Sequence, residues 1–223
     1  MRPLNPKPTQ LTPTLLLEAY RHGLFPMAED RYDSRLYWIE PEIRGVLPLD
    51  SVHIPRRLAR KIRADLFEVQ VNRAFPDVIK GCAAPAPGRW NTWINKDIIA
   101  LYTELHRLGY VHSVEAWRNG QLVGGLYGVA IGGAFFGESM FSRENDASKV
   151  ALVHLVARLK TGAYRLLDTQ FVTKHLSRFG VIELPREIYR VRLAEAISQQ
   201  GNFYSLPDLV SGVSALQAIT RRS

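Results

Sequence analysis

Glu138, Asp168 and Gln170 are the residues of this sequence whose types and surroundings could do chemistry. Glu138 stands in "AFFGESMF", an acid among Phe135, Phe136, Met140 and Phe141, in a stretch that otherwise reads as a buried strand. A carboxylate in such company is costly unless something pairs with it or uses it. Side chains alternate faces along a strand. In "LLDTQF", Leu166, Asp168 and Gln170 therefore share one side, with Leu167, Thr169 and Phe171 on the other. The same rule groups Phe136, Glu138 and Met140. If both strands face one cleft, two acids and an amide form a polar cluster with apolar walls, the composition of most binding pockets. The plainer reading is a satisfied polar network with Arg143 as partner for Glu138, and the residues alone leave both readings open.

Other chemistries find less support. The six histidines are scattered, and none forms a spaced pair with Cys or another His, so no metal site is expected. Ser139 in "GESMF" lacks the second glycine and the strand-to-helix setting of a nucleophile elbow. His154 reads as a packed or solvated helix residue. Cys82, beside a Pro-rich loop, has no evident activator. Being the only cysteine, it excludes an internal disulfide, and a reducing, cytoplasmic address is the expectation.

The elements that must position the acids follow from patterning. "LTPTLLLEAYRHGLF" predicts a helix capped by Thr12, with Pro13 in its first turn, Gly23 at its end and a face of Leu15, Leu16, Ala19 and Tyr20. Loop and short-strand material follows, so a small N-terminal domain over 1–43 precedes a larger one over 44–223. "SVHIPRRLARKIRADLF" predicts a helix entered through Pro55, with Ile54, Leu58 and Ile62 on one face and Arg56, Arg57, Arg60, Lys61 and Arg63 around the rest. "GCAAPAPGRWNTW" reads as a loop, and "INKDIIALYTELHRLGY" as an amphipathic helix ending at Gly109. The period then changes. "HSVEAWR" and "QLVGGLYGVA" flank Asn119-Gly120, a strong hairpin signal because both residues tolerate positive φ. With a turn at Gly132-Gly133 and "AFFGESMF", they make a three-strand meander. A helix capped by Asn145 or Asp146 carries Leu152, Leu155, Val156 and Leu159 and ends at Gly162. The strand "YRLLDTQF", a short helix "TKHLSRFG" and a last strand near Tyr189 complete an α+β arrangement with helices on a mostly antiparallel sheet.

With 223 residues, 46% hydrophobic and 22% charged, the chain has the balance of an ordinary globular protein. No segment approaches the ~20 apolar residues of a membrane span, and the Pro-rich start has no h-region of a secretory signal. The net charge of +8 suits a polyanionic partner such as nucleic acid. The tract Arg56, Arg60, Arg63 could follow phosphates, or be a solvated helix face. Trp90 and Trp93 could stack on a base, or be core. A meander followed by a helix also suits an N-acetyltransferase, but "SRENDASK" lacks the glycine turn that close approach to a pyrophosphate requires, so acetyl-CoA fits poorly.

In order from Leu15 to Tyr189, "GLFPM", "YWIEPEIRGVLPL", "VIKGCA", "WI", "HSVEAW", "LVGGLYGVAIGGAFFGESMFSRENDASKVAL", "LLDTQFVTKHLSRFG" and "ELPREIY" closely resemble the leucyl/phenylalanyl-tRNA–protein transferases. The resemblance implies a small N-terminal domain on an acetyltransferase-like (GNAT-like) domain that uses aminoacyl-tRNA in place of acetyl-CoA. It implies transfer of Leu or Phe, and Met less well, from tRNA to proteins beginning with Arg or Lys, whose new N-terminus marks them for degradation. By position it assigns Asp168 and Gln170 to catalysis and Glu138 to the site. It assigns Leu126, Phe135, Leu155 and Leu159 to the aminoacyl side-chain pocket, Trp93 to the entrance, and Arg56, Arg60 and Arg63 to the tRNA acceptor stem. No cofactor or metal is implied, and a monomer is the expected state.

The reaction is aminolysis of an ester by an amine that must be neutral to attack. Its unperturbed pKa is near 8, so modest help suffices. The expectation is that Gln170, oriented by Asp168, positions the amine and helps relay its proton, with a ribose hydroxyl of the terminal adenosine as another carrier. Two departures from the family pattern stand out. The chain starts close to its first helix, and Met27 occupies a place where an adenine-stacking tryptophan is often found. The rival readings are the same chemistry with another donor or with N-terminal Asp or Glu acceptors, an RNA binder that lost catalysis, and a small-molecule N-acyltransferase.

Overall fold

The computed structural model describes residues 11–33, 35–86 and 90–220; the proline-rich start and the middle of the loop expected around 87–89 lie outside them. The first helix, α1 (Pro13–Arg21), is capped as expected: the Thr12 hydroxyl accepts from Leu15 N at 3.2 Å. Leu16 and Tyr20 are its buried residues, whereas Leu15 is exposed. β1 (Phe25–Met27) and β2 (Tyr37–Ile39) form a small antiparallel sheet of their own.

Among the described residues the main sheet has seven strands. They are β3 (Ile43–Val46), β4 (Glu68–Val71), β5 (Val111–Arg118), β6 (Gln121–Ile131), β7 (Ala134–Ser142), β8 (Leu166–Gln170) and β9 (Ile182–Pro185), in the spatial order β4-β5-β6-β7-β8-β3-β9. The expected meander is β5-β6-β7, and Asn119 and Gly120 turn the first hairpin at φ 51° and 74°. All neighbours are antiparallel except β7 and β8. The fold is therefore α+β with a mixed sheet.

Helices cover both faces. On one, α2 (Arg56–Arg63), α5 (Ala147–Thr161) and α7 (Gly212–Thr220) close a core that includes Leu58, Ile62, Leu126, Phe135, Leu155, Leu159 and Leu216. On the other, α1 packs with α3 (Phe75–Ala83), α4 (Lys96–Arg107) and α6 (Arg186–Ser198) over Tyr20, Phe75, Tyr102, Phe136 and Tyr189. α5 is buried from Ala147 to Leu159 at every residue but Lys149, as a helix caught between a sheet and other helices must be. Two glycines of "LVGGLYG" permit close approach: a Cβ on Gly124 would lie 2.5 Å from that of Ala147 of α5, and one on Gly128 2.3 Å from the Phe136 carbonyl of the neighbouring β7.

Four expectations need correction. The segment around Tyr189 is not a strand but α6, preceded by the short β9. Tyr189, Val191 and Leu193 alternate with Arg190 and Arg192 and so imitate a strand, but Tyr189, Leu193 and Ala196 fall on one helical face and are the buried set. "GCA" belongs to the end of α3 and not to a loop; that helix starts where Glu115 of β5 accepts from Ala74 N at 2.8 Å. "TKHLSRFG" forms a single 3-10 segment, Leu176–Phe179. Asp146 sits at the N-cap of α5 without capping it; at φ 74° its carboxylate instead bridges Lys61 of α2, at 2.6 Å, and Lys149.

Candidate active site

β7 carries one residue more than β6 can pair. Tyr127 faces Ser139 and Gly128 faces Gly137, which leaves Glu138 as a bulge. The extra residue reverses the alternation beyond it. Phe136 and Phe141 lie in the core of the α1–α3–α4–α6 face, and Met140 packs against the opposite core. Phe136, Glu138 and Met140 therefore do not share a face, contrary to expectation from an unbroken strand.

The bulge aims Glu138 at two tyrosines. Its carboxylate accepts from Tyr20 Oη of α1 at 2.6 Å, from Tyr102 Oη of α4 at 3.1 Å, and from Gln170 Nε2 at 3.1 Å. No cation pairs with it among the described residues; Arg143, the expected partner, bonds the Leu122 carbonyl and covers the Phe141 ring. Burial raises its pKa from 4.5 to about 7, the tyrosine bonds offsetting part of the rise and the charge of Asp168 adding to it. Both tyrosines are held far above their ordinary range, by burial first and then by the Glu138 charge, so they remain donors.

Asp168 is in another situation. Fully buried, it takes Arg44 Nε at 3.0 Å and Nη2 at 2.7 Å, Tyr189 Oη at 2.7 Å, and the backbone N–H of Gln170 at 2.7 Å. Arg44 lies between the rings of Phe25 and Tyr189 and donates its third nitrogen to the Gly23 carbonyl. Burial presses its pKa down, but the charge and bonds of Asp168 prevail and the guanidinium sits above its usual value. With every oxygen engaged, Asp168 is an anchor. It holds the N–H of Gln170, whose φ of 62° is a left-handed conformation that a non-glycine residue adopts at a cost.

A cavity of about 450 Å³ opens beside these groups. Leu126, Met140, Leu152, Leu155 and Leu167 give its apolar wall, and Glu138, Gln170 and Thr169 its polar side. Three buried side-chain atoms lack a partner among the described residues: Tyr127 Oη, Thr169 Oγ1 and His175 Nε2. All three residues line this cavity. Buried polar atoms are rarely left unmatched; the Tyr127 ring packs with Phe75 and Tyr102 in the opposite core, so Thr169 and His175 are the two that mark this cavity as a place shaped for a ligand.

Two family profiles match the chain: leucyl/phenylalanyl-tRNA protein transferase over residues 46–194, and the N-terminal domain of the same family over 9–42. The chain belongs to this family. Proteins named leucyl/phenylalanyl-tRNA–protein transferase are similar along nearly their whole length. That of Maricaulis maris (strain MCS10) is 55% identical over 208 residues, covering 93% of this chain and 96% of the relative. Those of Nitrobacter winogradskyi and Rhodopseudomonas palustris (strain TIE-1) are 58% and 56% identical, each covering 96% of both chains. Membership makes the chain an aminoacyltransferase.

The residues that the family resemblance singled out are distributed around the cavity unevenly. Leu126, Leu155, Glu138 and Gln170 line it. Phe135 and Leu159 are completely buried in the same core cluster as Leu126 and Leu155 and do not reach the wall. Asp168 stands behind Gln170. Trp93 is half-buried against the opposite core, and so is Met27, while Trp90 is exposed. Arg56, Arg60 and Arg63 are exposed on α2 and form no ion pair among the described residues, unlike Lys61. His154 is buried, which lowers its pKa to about 4 and keeps it neutral. Among the described residues no group of three His, Cys, Asp or Glu could hold a metal, and no helix is long and apolar enough to cross a membrane.

Sequence reasoning missed Arg44, Tyr20, Tyr102, Tyr127 and Tyr189 as parts of the site. Their partners are remote in the chain, so no local pattern announces them. Tyr20 was legible only as an apolar face residue.

Proposed function

We propose that this chain moves Leu or Phe, and Met less well, from aminoacyl-tRNA to the α-amine of proteins beginning with Arg or Lys, giving an N-terminus that marks them for degradation. The observation that carries this reading is a buried carboxylate with no cation beside it, Glu138, at the wall of an apolar cavity. An aliphatic or aromatic aminoacyl side chain suits the leucine-lined wall. A cationic amine suits the uncompensated acid.

Glu138 takes the amine's proton. Its pKa near 7 lies about one unit below that of an α-ammonium, so the transfer costs only about 1–2 kcal/mol. The neutral amine attacks the ester carbonyl, the new C–N bond forms, and the C–O bond to the terminal ribose breaks. The leaving oxygen receives a proton from Glu138 or through the neighbouring ribose hydroxyl while the nitrogen gives up its second proton to the same group, so that a neutral amide and a free ribose hydroxyl result and one proton passes to water. Gln170 commits its Nε2 to Glu138, which leaves its carbonyl oxygen to accept from the amine. Asp168 acts through Gln170, by fixing its backbone. The ester is already activated, so placement supplies much of the rate, and no cofactor is called upon.

The remaining assignments belong to the same reading. Phe135 and Leu159 back the aminoacyl pocket, Trp93 stands at the entrance, and Arg56, Arg60 and Arg63 meet the acceptor stem. A division into a 1–43 domain and a GNAT-like domain over 44–223 is supported by where the two family profiles meet and by a meander followed by α5 and a parallel strand. The chain works as a monomer in the cytoplasm. The test is transfer of labelled Leu, Phe and Arg from charged tRNA to peptides beginning with Arg, Lys, Asp or Glu. Leu and Phe moving only to Arg or Lys peptides is expected; transfer to Asp or Glu peptides, or none, overturns it.

A further inference from the structure

β7 and β8 run side by side only at Ala134–Leu166, Phe135–Leu167 and Phe136–Asp168. Beyond these pairs β7 continues to Ser142 with β6 as its sole strand partner among the described residues, and the two parallel strands part around the cavity. Gly137 through Ser142, six consecutive residues, line it. In an antiparallel ladder every second residue directs its N–H and C=O away from its partner. The β6–β7 pair therefore presents a row of backbone donors and acceptors from β7 to the cavity. The facing edge of β8 offers no such row. It ends at Gln170, where φ is 62° and the N–H is already given to Asp168.

A ligand that matches one free strand edge needs donors and acceptors alternating at strand spacing, which is the chemistry of a polypeptide and not of a nucleotide. The fork also has a polarity. Its closed end holds the Glu138 carboxylate with no cation beside it, which is complementary to an α-ammonium, and its open end leads along β7 toward Ser142. Resting on the transfer reading above, we infer that the acceptor's first residues bind as an added strand along Glu138–Ser142 of β7, with the amine at Glu138 and the chain running parallel to β7. That stretch spans roughly 15 Å at about 3.3 Å per residue, room for three or four acceptor residues. Recognition of this kind reads main chain, so it accepts many sequences after the first residue while still fixing the amine. The apolar wall made by Leu126, Leu152 and Leu155 stays available to the donor side chain.

Strand pairing to one edge engages alternate residues only, and that is measurable. A fluorescent peptide beginning with Arg is displaced by unlabelled copies N-methylated at the second, third or fourth backbone amide, with side chains unchanged. Alternation is expected: methylation of one parity weakens binding by about tenfold or more, as loss of a buried hydrogen bond does, and the other parity binds within about twofold of the parent. Equal effects at all positions, no effect at any, or a parent peptide that does not bind overturn the inference. Leu transfer to the same peptides separates the two readings. Alternating binding without transfer to the parent sinks the transferase assignment and keeps the added strand, whereas transfer with a flat methylation profile does the reverse.

Discussion

Arg44 and Asp168, far apart in sequence, meet in the interior as a closed ion pair whose shortest N–O distance is 2.7 Å, with both side chains almost completely shielded from water. Tyr189 and the Gln170 backbone complete the carboxylate's partners, and the Gly23 carbonyl takes the remaining guanidinium nitrogen. A pair this dry is stable only while intact.

Breaking it from either side is expected to cost about 3–5 kcal/mol, because a buried charge is left alone. Asp168→Ala abolishes transfer while tRNA binding is largely retained. The double variant Arg44→Met/Asp168→Leu regains most of the stability but not the activity, since Gln170 N–H still lacks its acceptor. Chemical denaturation and single-turnover transfer read the two effects separately. Activity returning with stability would reduce Asp168 to charge balance.

Glu138 sets a pH signature. With its folded pKa raised from 4.5 to about 7, the group remains protonated in the fold while the unfolded chain ionises. Stability therefore declines as pH rises from about 4.5 to 7 and stays lower above, by about 3 kcal/mol. Glu138→Gln removes that slope, gaining about 1–3 kcal/mol at pH 8 relative to its effect at pH 4 in thermal melts. In the wild type kcat/KM rises through about pH 7 as Glu138 ionises and falls near pH 8 as the free acceptor loses its proton. The variant loses activity together with the acidic limb. An unchanged acidic limb would take Glu138 out of the proton path.

Leu155 is fully buried yet reaches the cavity. Leu155→Ala should enlarge the apolar wall and shift donor preference from Leu toward Phe by about tenfold in kcat/KM, at about 2–4 kcal/mol of stability. Competition between the two charged tRNAs measures the ratio. No shift would place the donor side chain elsewhere.

On α2, Arg60→Glu should weaken tRNA binding and lessen the slope of log K against log salt by about one, as loss of a phosphate contact does. Titrations at several salt concentrations decide this. Equal affinity and slope would make the helix only a solvated face.

The sequence discloses what is local. Asn119-Gly120 specifies its turn, Thr12 its cap, and the spacing of Leu152, Leu155, Val156 and Leu159 the helix α5, because each depends on residues close in the chain. The acid among aromatics was legible too. Gln170 belonged to the expected cluster, but Tyr20 and Tyr102 arrive from two remote helices, and nothing near Glu138 sets them above Arg143 as partners. Arg44 sits in an unremarkable short strand, and only the sheet order, which sets β3 beside β8, shows its partner. α6 misleads for another reason, since "EIYRVRL" satisfies two periodicities and only packing chooses between them.

The bulge in β7 presents Glu138, and beyond it Met140 faces one core and Phe141 the other. Loss of a single codon at this point would remove the acid and leave a regular ladder in which Met140 and Phe141 keep their seats. The carboxylate and the walls flanking it are thus separable: one deletion can discard the acid and keep a well-packed strand, so the extra residue is held in place by its chemistry and not by the packing around it.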